Sequence, residues 1–130
     1  MPFDSDSARR LVDAYLSAWN LEHRADRDAV LARIWAPDGR YVDPRADVRG
    51  RAALVDLIEE RRAARPGARL VVTSVVDLHH DMARFAWHLV AADGSPQPES
   101  IDIVQVDPEG RLALVVGFFG PLAATATTAG

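Results

Sequence analysis

The side chains that could perform chemistry in this sequence are carboxylates, phenols, hydroxyls, imidazoles and arginines. The chain has 130 residues but no cysteine, and all 15 of its basic residues are arginine. This composition excludes thiol nucleophiles, cysteine-ligated zinc, iron–sulfur clusters and disulfides. It also excludes Schiff-base lysines and the phosphate-binding lysine of a P-loop. Any chemistry must therefore come from Asp, Glu, His, Tyr, Ser, Thr or Arg side chains, several of which can transfer protons.

One carboxylate is singled out by its neighbours on a predicted strand. Asp102 shares a strand face with Val104 and Val106. The strand before it has a wholly apolar face, formed by Phe85, Trp87 and Leu89. If Asp102 points the same way, it is an acid in an apolar cavity, where an unpaired charge costs several kcal/mol. It is then either a neutral, tuned acid or the partner of an arginine, and both interpretations stay open.

The histidines do not form a pattern typical of a metal site. His79 and His80 are adjacent and would face opposite ways on a strand, His88 shares an outer face with Arg84, and His23 lies among charges. No pair has ligand spacing with a third ligand, and no glycine string links a strand to a helix. We therefore predict no metal and no nucleotide cofactor.

The elements that must position these groups are helices in the first half and strands in the second. A stripe from Leu11 to Trp19 predicts the first helix, with Ser5 and Ser7 as candidate N-caps. Two more helices are predicted at 26–35 and 52–65, a short extended piece at 40–42, and strands at 69–78, 83–92, 101–106 and 112–119. Short links make consecutive strands antiparallel, so we predict an α+β fold with three N-terminal helices on one face of a curved antiparallel sheet. We expect one domain over 1–122 and a flexible tail over 123–130.

The charge balance argues against nucleic acid and membrane partners. The net charge is −4, and the basic cluster Arg61, Arg62, Arg65 and Arg69 lies beside acidic residues, as in a solvated helix end. No apolar run approaches the ~20 residues needed to span a bilayer. The polar N-terminus has no apolar signal core, so we expect a cytoplasmic protein.

Local strings in this order resemble the nuclear transport factor 2-like superfamily, and within it the SnoaL-like and ketosteroid-isomerase-like proteins. The strings are YLSAWN at 15–20, YVDP at 41–44, GRAAL at 50–54, IDI at 101–103, and the turn at 107–110 leading to GFF at 117–119. The resemblance implies a cone-shaped fold whose helices and curved sheet enclose a pocket. Many members of this superfamily dimerise through the outer sheet face, and the resemblance implies the same kind of dimer here.

The resemblance implies three catalytic positions. Tyr15 matches the helix-one tyrosine that donates to an oxyanion in ketosteroid isomerases, and Asp43 matches their proton-transferring base. Asp102 matches the protonated acid that is a second donor to the same oxygen. Structural alternatives remain open, since Asp43 could be a turn residue before Pro44 and Tyr15 an ordinary core aromatic.

The candidate substrate-binding residues are mostly aromatic or aliphatic. They are Trp19, Trp35, Ile58, Phe85, Trp87, Leu89, Val104 and Phe119. They could line a pocket for a flat apolar ligand or could be plain core.

Three functions follow from this interpretation. The first is a cofactor-free enzyme that isomerises, cyclises or dehydrates a small apolar carbonyl compound. The second is a non-catalytic protein of the same fold, which binds a small ligand or acts as a dimeric accessory domain. The third, an epoxide-hydrolase-type site, needs an arginine between two carboxylates inside the cone, and Arg84 has the wrong strand parity for it. We also expect a homodimer through the outer sheet face, involving Arg84, His88, Ile103, Gln105 and Val116.

Overall fold

The computed structural model describes residues 2–125 and contains three helices and seven strands. The helices are α1 (Ser5–Asn20), α2 (Arg24–Ile34) and α3 (Arg51–Ala64). The strands are β1 (Trp35–Asp43), β2 (Ala46–Arg49), β3 (Arg69–Val72), β4 (Asp77–His79), β5 (Met82–Val90), β6 (Ser100–Val106) and β7 (Leu112–Phe118). Residues 126–130 of the tail expected at 123–130 lie outside the described part of the chain. Residues 121–125 have no regular secondary structure. No helix in the described part is long and apolar enough to cross a membrane.

The N-cap of α1 is Asp4 and not either of the predicted serines. The Asp4 carboxylate accepts a hydrogen bond from the Ser7 amide at 2.9 Å, and the Ser7 hydroxyl accepts one from the Asp4 amide at 2.9 Å. This reciprocal capping box satisfies amide donors at the start of the helix. Ser7 therefore takes part in capping from inside the first turn.

The second helix ends one residue earlier than predicted, and the extended segment after it is much longer than predicted. Trp35 begins β1, which continues to Asp43 and thus contains the piece predicted at 40–42. Pro37 disfavours helix in the residue before it. Pairing with β7 then holds the whole segment extended, which local sequence signals could not show.

The sheet is mixed, which corrects the prediction of an antiparallel one. Its strand order is β2-β1-β7-β6-β5-β3, with β4 also pairing with β5. All pairings are antiparallel except that of β1 with β7, which is parallel. These two strands are far apart in sequence, so the short-link rule that governs consecutive strands does not apply to them.

The strand predicted at 69–78 is interrupted, and its two halves form β3 and β4. Both pair with β5, and between them the Ser74 hydroxyl accepts a hydrogen bond from the Ala86 amide at 2.7 Å. The core lies between the helices and the inner sheet face, and Leu31, Leu54, Ile58 and Val115 are fully buried in it.

Candidate active site

A cavity of about 410 Å³ lies between the inner face of the sheet and helices α1 and α3. Five of the predicted site residues line it, and they are Trp19, Trp87, Leu89, Asp102 and Phe119. The others do not reach its wall: Tyr15, Trp35, Ile58, Phe85 and Val104 are buried in the core, and the Asp43 side chain is enclosed beside it. Asp102 is the only carboxylate among the lining residues in the described part of the chain.

The two predicted catalytic aspartates lie on either side of Gly117. Asp102 on β6 pairs with Gly117 on β7, and Asp43 ends the strand on the other side of β7. A β-carbon built on Gly117 would lie 2.9 Å from Asp102 Oδ1 and 3.5 Å from Asp43 Cβ. Any larger residue would force the Asp102 carboxyl to move, so glycine here leaves space for both acids.

Asp43 is surrounded by hydrogen-bond donors. Arg61 from α3 donates to both carboxylate oxygens, at 2.9 and 3.2 Å, and the Tyr41 hydroxyl donates to Oδ2 at 2.6 Å. The Arg45 amide donates to Oδ1 at 2.8 Å. Burial alone would raise the pKa of Asp43, but the hydrogen bonds from Arg61, Tyr41 and the Arg45 amide outweigh it and lower this pKa. Asp43 is therefore an ionised carboxylate whose oxygens are already occupied.

Asp102 has the opposite environment. It is 4% exposed and accepts one hydrogen bond, from Trp87 Nε1 to Oδ1 at 2.9 Å. Within residues 2–125 it forms no ion pair, and its Oδ2 accepts no hydrogen bond. Burial raises the pKa of Asp102 to about 7, and the charge of Asp43 adds to this rise. The hydrogen bond from Trp87 lowers the pKa, but by less than burial raises it. Such an acid can both take and give a proton near neutral pH.

Two buried donors beside the cavity have no acceptor among the described residues. They are the Tyr15 hydroxyl and Trp19 Nε1, which stand four residues apart on α1 and so share a helix face. Tyr15 stacks on Trp35, and Trp19 packs against Tyr41 with ring centroids 5.6 Å apart. Burial raises the pKa of Tyr15 well above its usual value, and the charge of Asp102 adds to this. Buried donors without acceptors are rare in proteins, and of these two residues Trp19 lines the cavity whereas Tyr15 lies behind its wall.

Sequence reasoning missed Arg61 and Tyr41. The interpretation of the basic cluster as a solvated helix end holds for Arg65 and Arg69, which are exposed. It does not hold for the other two, because Arg61 turns inward to Asp43 and Arg62 donates to the Trp19 carbonyl at 3.0 Å. Helical spacing was the available signal, since Arg61 follows the buried Leu54 and Ile58 by seven and three residues. For Tyr41 the signal was strand alternation, which places it on the same face as Asp43.

The remaining candidates lie away from the cavity. Arg84 is exposed and pairs with Asp77 on the outer face at 2.9 Å. The one arginine that reaches a carboxylate inside the cone, Arg61, contacts Asp43 but not Asp102, so an arginine shared by two carboxylates is not formed among the described residues. His79 ends β4 and His80 follows in the turn with φ 54°. No group of three metal-ligating side chains occurs within residues 2–125.

The sequence was compared with known families and structures. The model of the SnoaL-like domain family matches residues 12–115. The chain belongs to this family. A SnoaL-like family protein from Agrobacterium tumefaciens, which carries a provisional isomerase name, is 34% identical with a TM-score of 0.84, over 87% of this chain and 97% of that one. No curated protein matches the sequence.

More distant structures share the fold alone. A protein from Sinorhizobium meliloti with a provisional polyketide cyclase name is 20% identical, covers 88% of this chain and 99% of that one, and has a TM-score of 0.65. A protein from Catenulispora acidiphila with a ketosteroid isomerase-like fold was solved with trimethylamine. It is 16% identical over 85% of each chain, with a TM-score of 0.68. The three helices and curved mixed sheet of the present chain are thus the α+β cone of the nuclear transport factor 2-like fold.

Proposed function

We propose that this protein is a cofactor-free enzyme that moves a proton on an apolar carbonyl compound, with Asp102 as the acid–base group. The observation that supports the proposal is the position of Asp102: a carboxyl on an apolar cavity wall, with one hydrogen bond and a pKa near 7. General acid–base catalysis is most effective when the pKa of the group lies near the working pH. Isomerisation, aldol-type cyclisation and dehydration all use this step.

The proposed step begins with ionised Asp102. Its free Oδ2 takes a proton from the carbon next to the substrate carbonyl, and the electron pair of that C–H bond moves onto the carbonyl oxygen to give an enolate. Trp19 lines the cavity, and its Nε1, which has no acceptor among the described residues, donates to that oxygen and stabilises it. Asp102 then returns the proton to a different carbon of the substrate, which completes an isomerisation.

These roles differ from those that the family resemblance implies. The resemblance makes Asp43 the base and Asp102 a donor, but here Asp43 is held ionised by Arg61 and Tyr41 and has a lowered pKa. A carboxylate with occupied oxygens and a lowered pKa is a weak base. We therefore infer that Asp43 holds Arg61 and Tyr41 in place and that Asp102 transfers the proton.

The proposal is tested by hydrogen–deuterium exchange at the carbon next to a ketone, measured by NMR over a panel of apolar ketones and unsaturated ketones. We expect the wild type to catalyse exchange with at least one ketone and Asp102→Asn to reduce the rate by about 10²-fold or more. The asparagine keeps an oxygen that accepts from Trp87 Nε1, so the fold is retained. Asp77→Asn, on the exposed outer face, is the matched control and leaves the rate unchanged.

A second candidate function is favoured by the neutralised Asp43–Arg61 pair. A pocket whose expected base is already paired can bind a ligand without acting on it. If the protein only binds a ligand or acts as an accessory protein, the wild type and Asp102→Asn bind ketones from the panel with equal affinity. Neither form then catalyses exchange. That result would contradict the enzymatic proposal and favour the binding one.

We also propose a homodimer through the outer sheet face. The strand register places Arg84, Ile103 and Val116 side by side on this face, and His88 and Gln105 share its parity. Ile101 and Phe118 are also paired there and are 39% and 60% exposed. Exposed apolar side chains in one patch are typical of an interface.

A further inference from the structure

Arginines are frequent in the wall of the cavity. Five of them belong to its wall, and they are Arg45, Arg61, Arg62, Arg65 and Arg69. Arg61 and Arg62 are held by Asp43 and by the Trp19 carbonyl. The other three are exposed, and we call Arg45, Arg65 and Arg69 the arginine rim.

The side chains of the arginine rim have no partner in the described part of the chain. None of the three forms an ion pair or donates a side-chain hydrogen bond there. By contrast, six other exposed or half-exposed arginines pair with carboxylates, and they are Arg9, Arg24, Arg40, Arg51, Arg84 and Arg111. The only carboxylate on the cavity wall, Asp102, is buried deeper inside. The rim is therefore a patch of uncompensated positive charge on a chain whose net charge is −4.

The rest of the wall is mostly apolar, and Leu70, Trp87, Leu89 and Phe119 contribute to it. Asn20, Gln97 and Ser100 also line the cavity. A ligand that satisfies both regions has an apolar body and one anionic end. Guanidinium groups recognise carboxylate and phosphate oxygens by paired N–H donors, and a cleft lined by one sign of charge attracts the opposite sign.

We propose that the substrate is an amphipathic anion, whose carboxylate or phosphate binds the arginine rim while its carbonyl-bearing apolar body lies against Asp102. The inference rests on the proposed function for the reaction and adds the class of substrate. Binding in this direction keeps the negative charge of the substrate at the rim. An anion beside Asp102 would oppose its ionisation, which the base needs.

The test is isothermal titration calorimetry with 2-naphthylacetate, 2-naphthyl phosphate and the neutral 2-(2-naphthyl)ethanol. We expect at least one anion to bind about tenfold or more tightly than the alcohol, and the preference to shrink as salt is raised. The tighter of the two anions identifies the head group as carboxylate or phosphate. The triple variant Arg45→Gln, Arg65→Gln and Arg69→Gln is expected to lose the preference while still binding the alcohol.

The matched control removes the same charge elsewhere. Arg10, Arg33 and Arg49 are also exposed and without an ion pair among the described residues, and they lie outside the cavity wall. Their triple replacement by glutamine is expected to keep the anion preference. The proposal is overturned if wild type binds the alcohol as tightly as both anions, if neither anion binds at about 1 mM, or if both triple variants lose the preference equally.

This result is independent of catalysis. Asp102→Asn is expected to keep the preference for the anion, because the rim is unchanged. Anion preference without any ketone exchange would contradict the proposed function and support an anionic ligand. Ketone exchange without anion preference would support the proposed function and contradict an anionic ligand.

Discussion

Asp43 and Asp102 flank the same glycine, yet their surroundings shift their pKa values in opposite directions. Arg61, Tyr41 and a backbone amide donate to Asp43, whereas Asp102 accepts from Trp87 alone among residues 2–125. Donors lower the pKa of the first acid and burial raises that of the second. Carboxyl groups with separated pKa values are typical of sites in which one acid transfers protons and the other remains ionised.

Burial of Asp102 predicts an unusual dependence of stability on pH. Its pKa is about 7 in the folded chain against 3.8 ordinarily, so between these values the folded chain holds a proton that the unfolded chain has lost. The contribution to stability is fully present below about pH 4 and is lost as the pH rises through 7. At about 1.4 kcal/mol per pKa unit, the loss is on the order of 4 kcal/mol.

Urea unfolding of wild type and Asp102→Asn from pH 5 to 8.5 measures this effect. The difference in the free energy of unfolding between the two proteins isolates Asp102, because the other titrating groups are common to both. We expect the variant to gain stability over the wild type as the pH rises. A difference that stays constant with pH would contradict the raised pKa of Asp102.

The sequence predicted the buried, apolar surroundings of Asp102, because strand alternation alone places it among valines and opposite an apolar strand face. It did not predict Arg61. Four nearby arginines suggested a solvated face, and the carboxylate that draws one of them inward lies on a strand 18 residues earlier. Contacts of this kind depend on how elements pack, which charge patterns do not encode.

At the scale of elements, the Arg61–Asp43 pair joins α3 to β1. The Asp43 side chain is fully buried and that of Arg61 is 25% exposed, so the pair holds the helix over the cavity in a partly desolvated place. Removing one partner leaves the other uncompensated, which is far more costly than replacing both.

A double-mutant cycle measures the pair. We expect Arg61→Met to lower the free energy of unfolding by about 3 kcal/mol, because it leaves Asp43 charged and buried. Asp43→Asn combined with Arg61→Met is expected to be more stable than Arg61→Met alone. Arg33→Met, at an exposed helix position, serves as the control. If Arg61→Met changes stability no more than Arg33→Met does, the pair does not hold the helix.

The elements themselves were predictable to different degrees. Helical periodicity predicted α3 to within one residue of its observed bounds and predicted the existence of α1, because their apolar stripes are strong local signals. The long β1 and its parallel pairing with β7 were not predictable. The paired residues of the two strands lie 74 to 77 positions apart in the sequence, and no local pattern shows which strands meet.

At the scale of the whole molecule, the outer sheet face and the cavity face carry different chemistry. Phe118→Glu places a charge in the apolar outer patch, and we expect it to convert the proposed homodimer into a monomer in light scattering. Phe119→Glu is not an equivalent control, since Phe119 lines the cavity. Val75→Glu is the matched control, because Val75 is an exposed apolar residue outside the named strands. A monomeric wild type would contradict the proposed dimer.

The most direct test of Asp102 as the proton-transferring group is the pH dependence of ketone exchange. With a raised pKa, the base form of Asp102 accumulates as the pH rises through about 7. We predict that the exchange rate at low ketone concentration increases through this range and then levels off, and that Asp102→Asn abolishes the inflection. A rate that is already constant above pH 5, or an inflection near 7 that persists in Asp102→Asn, would contradict the assignment.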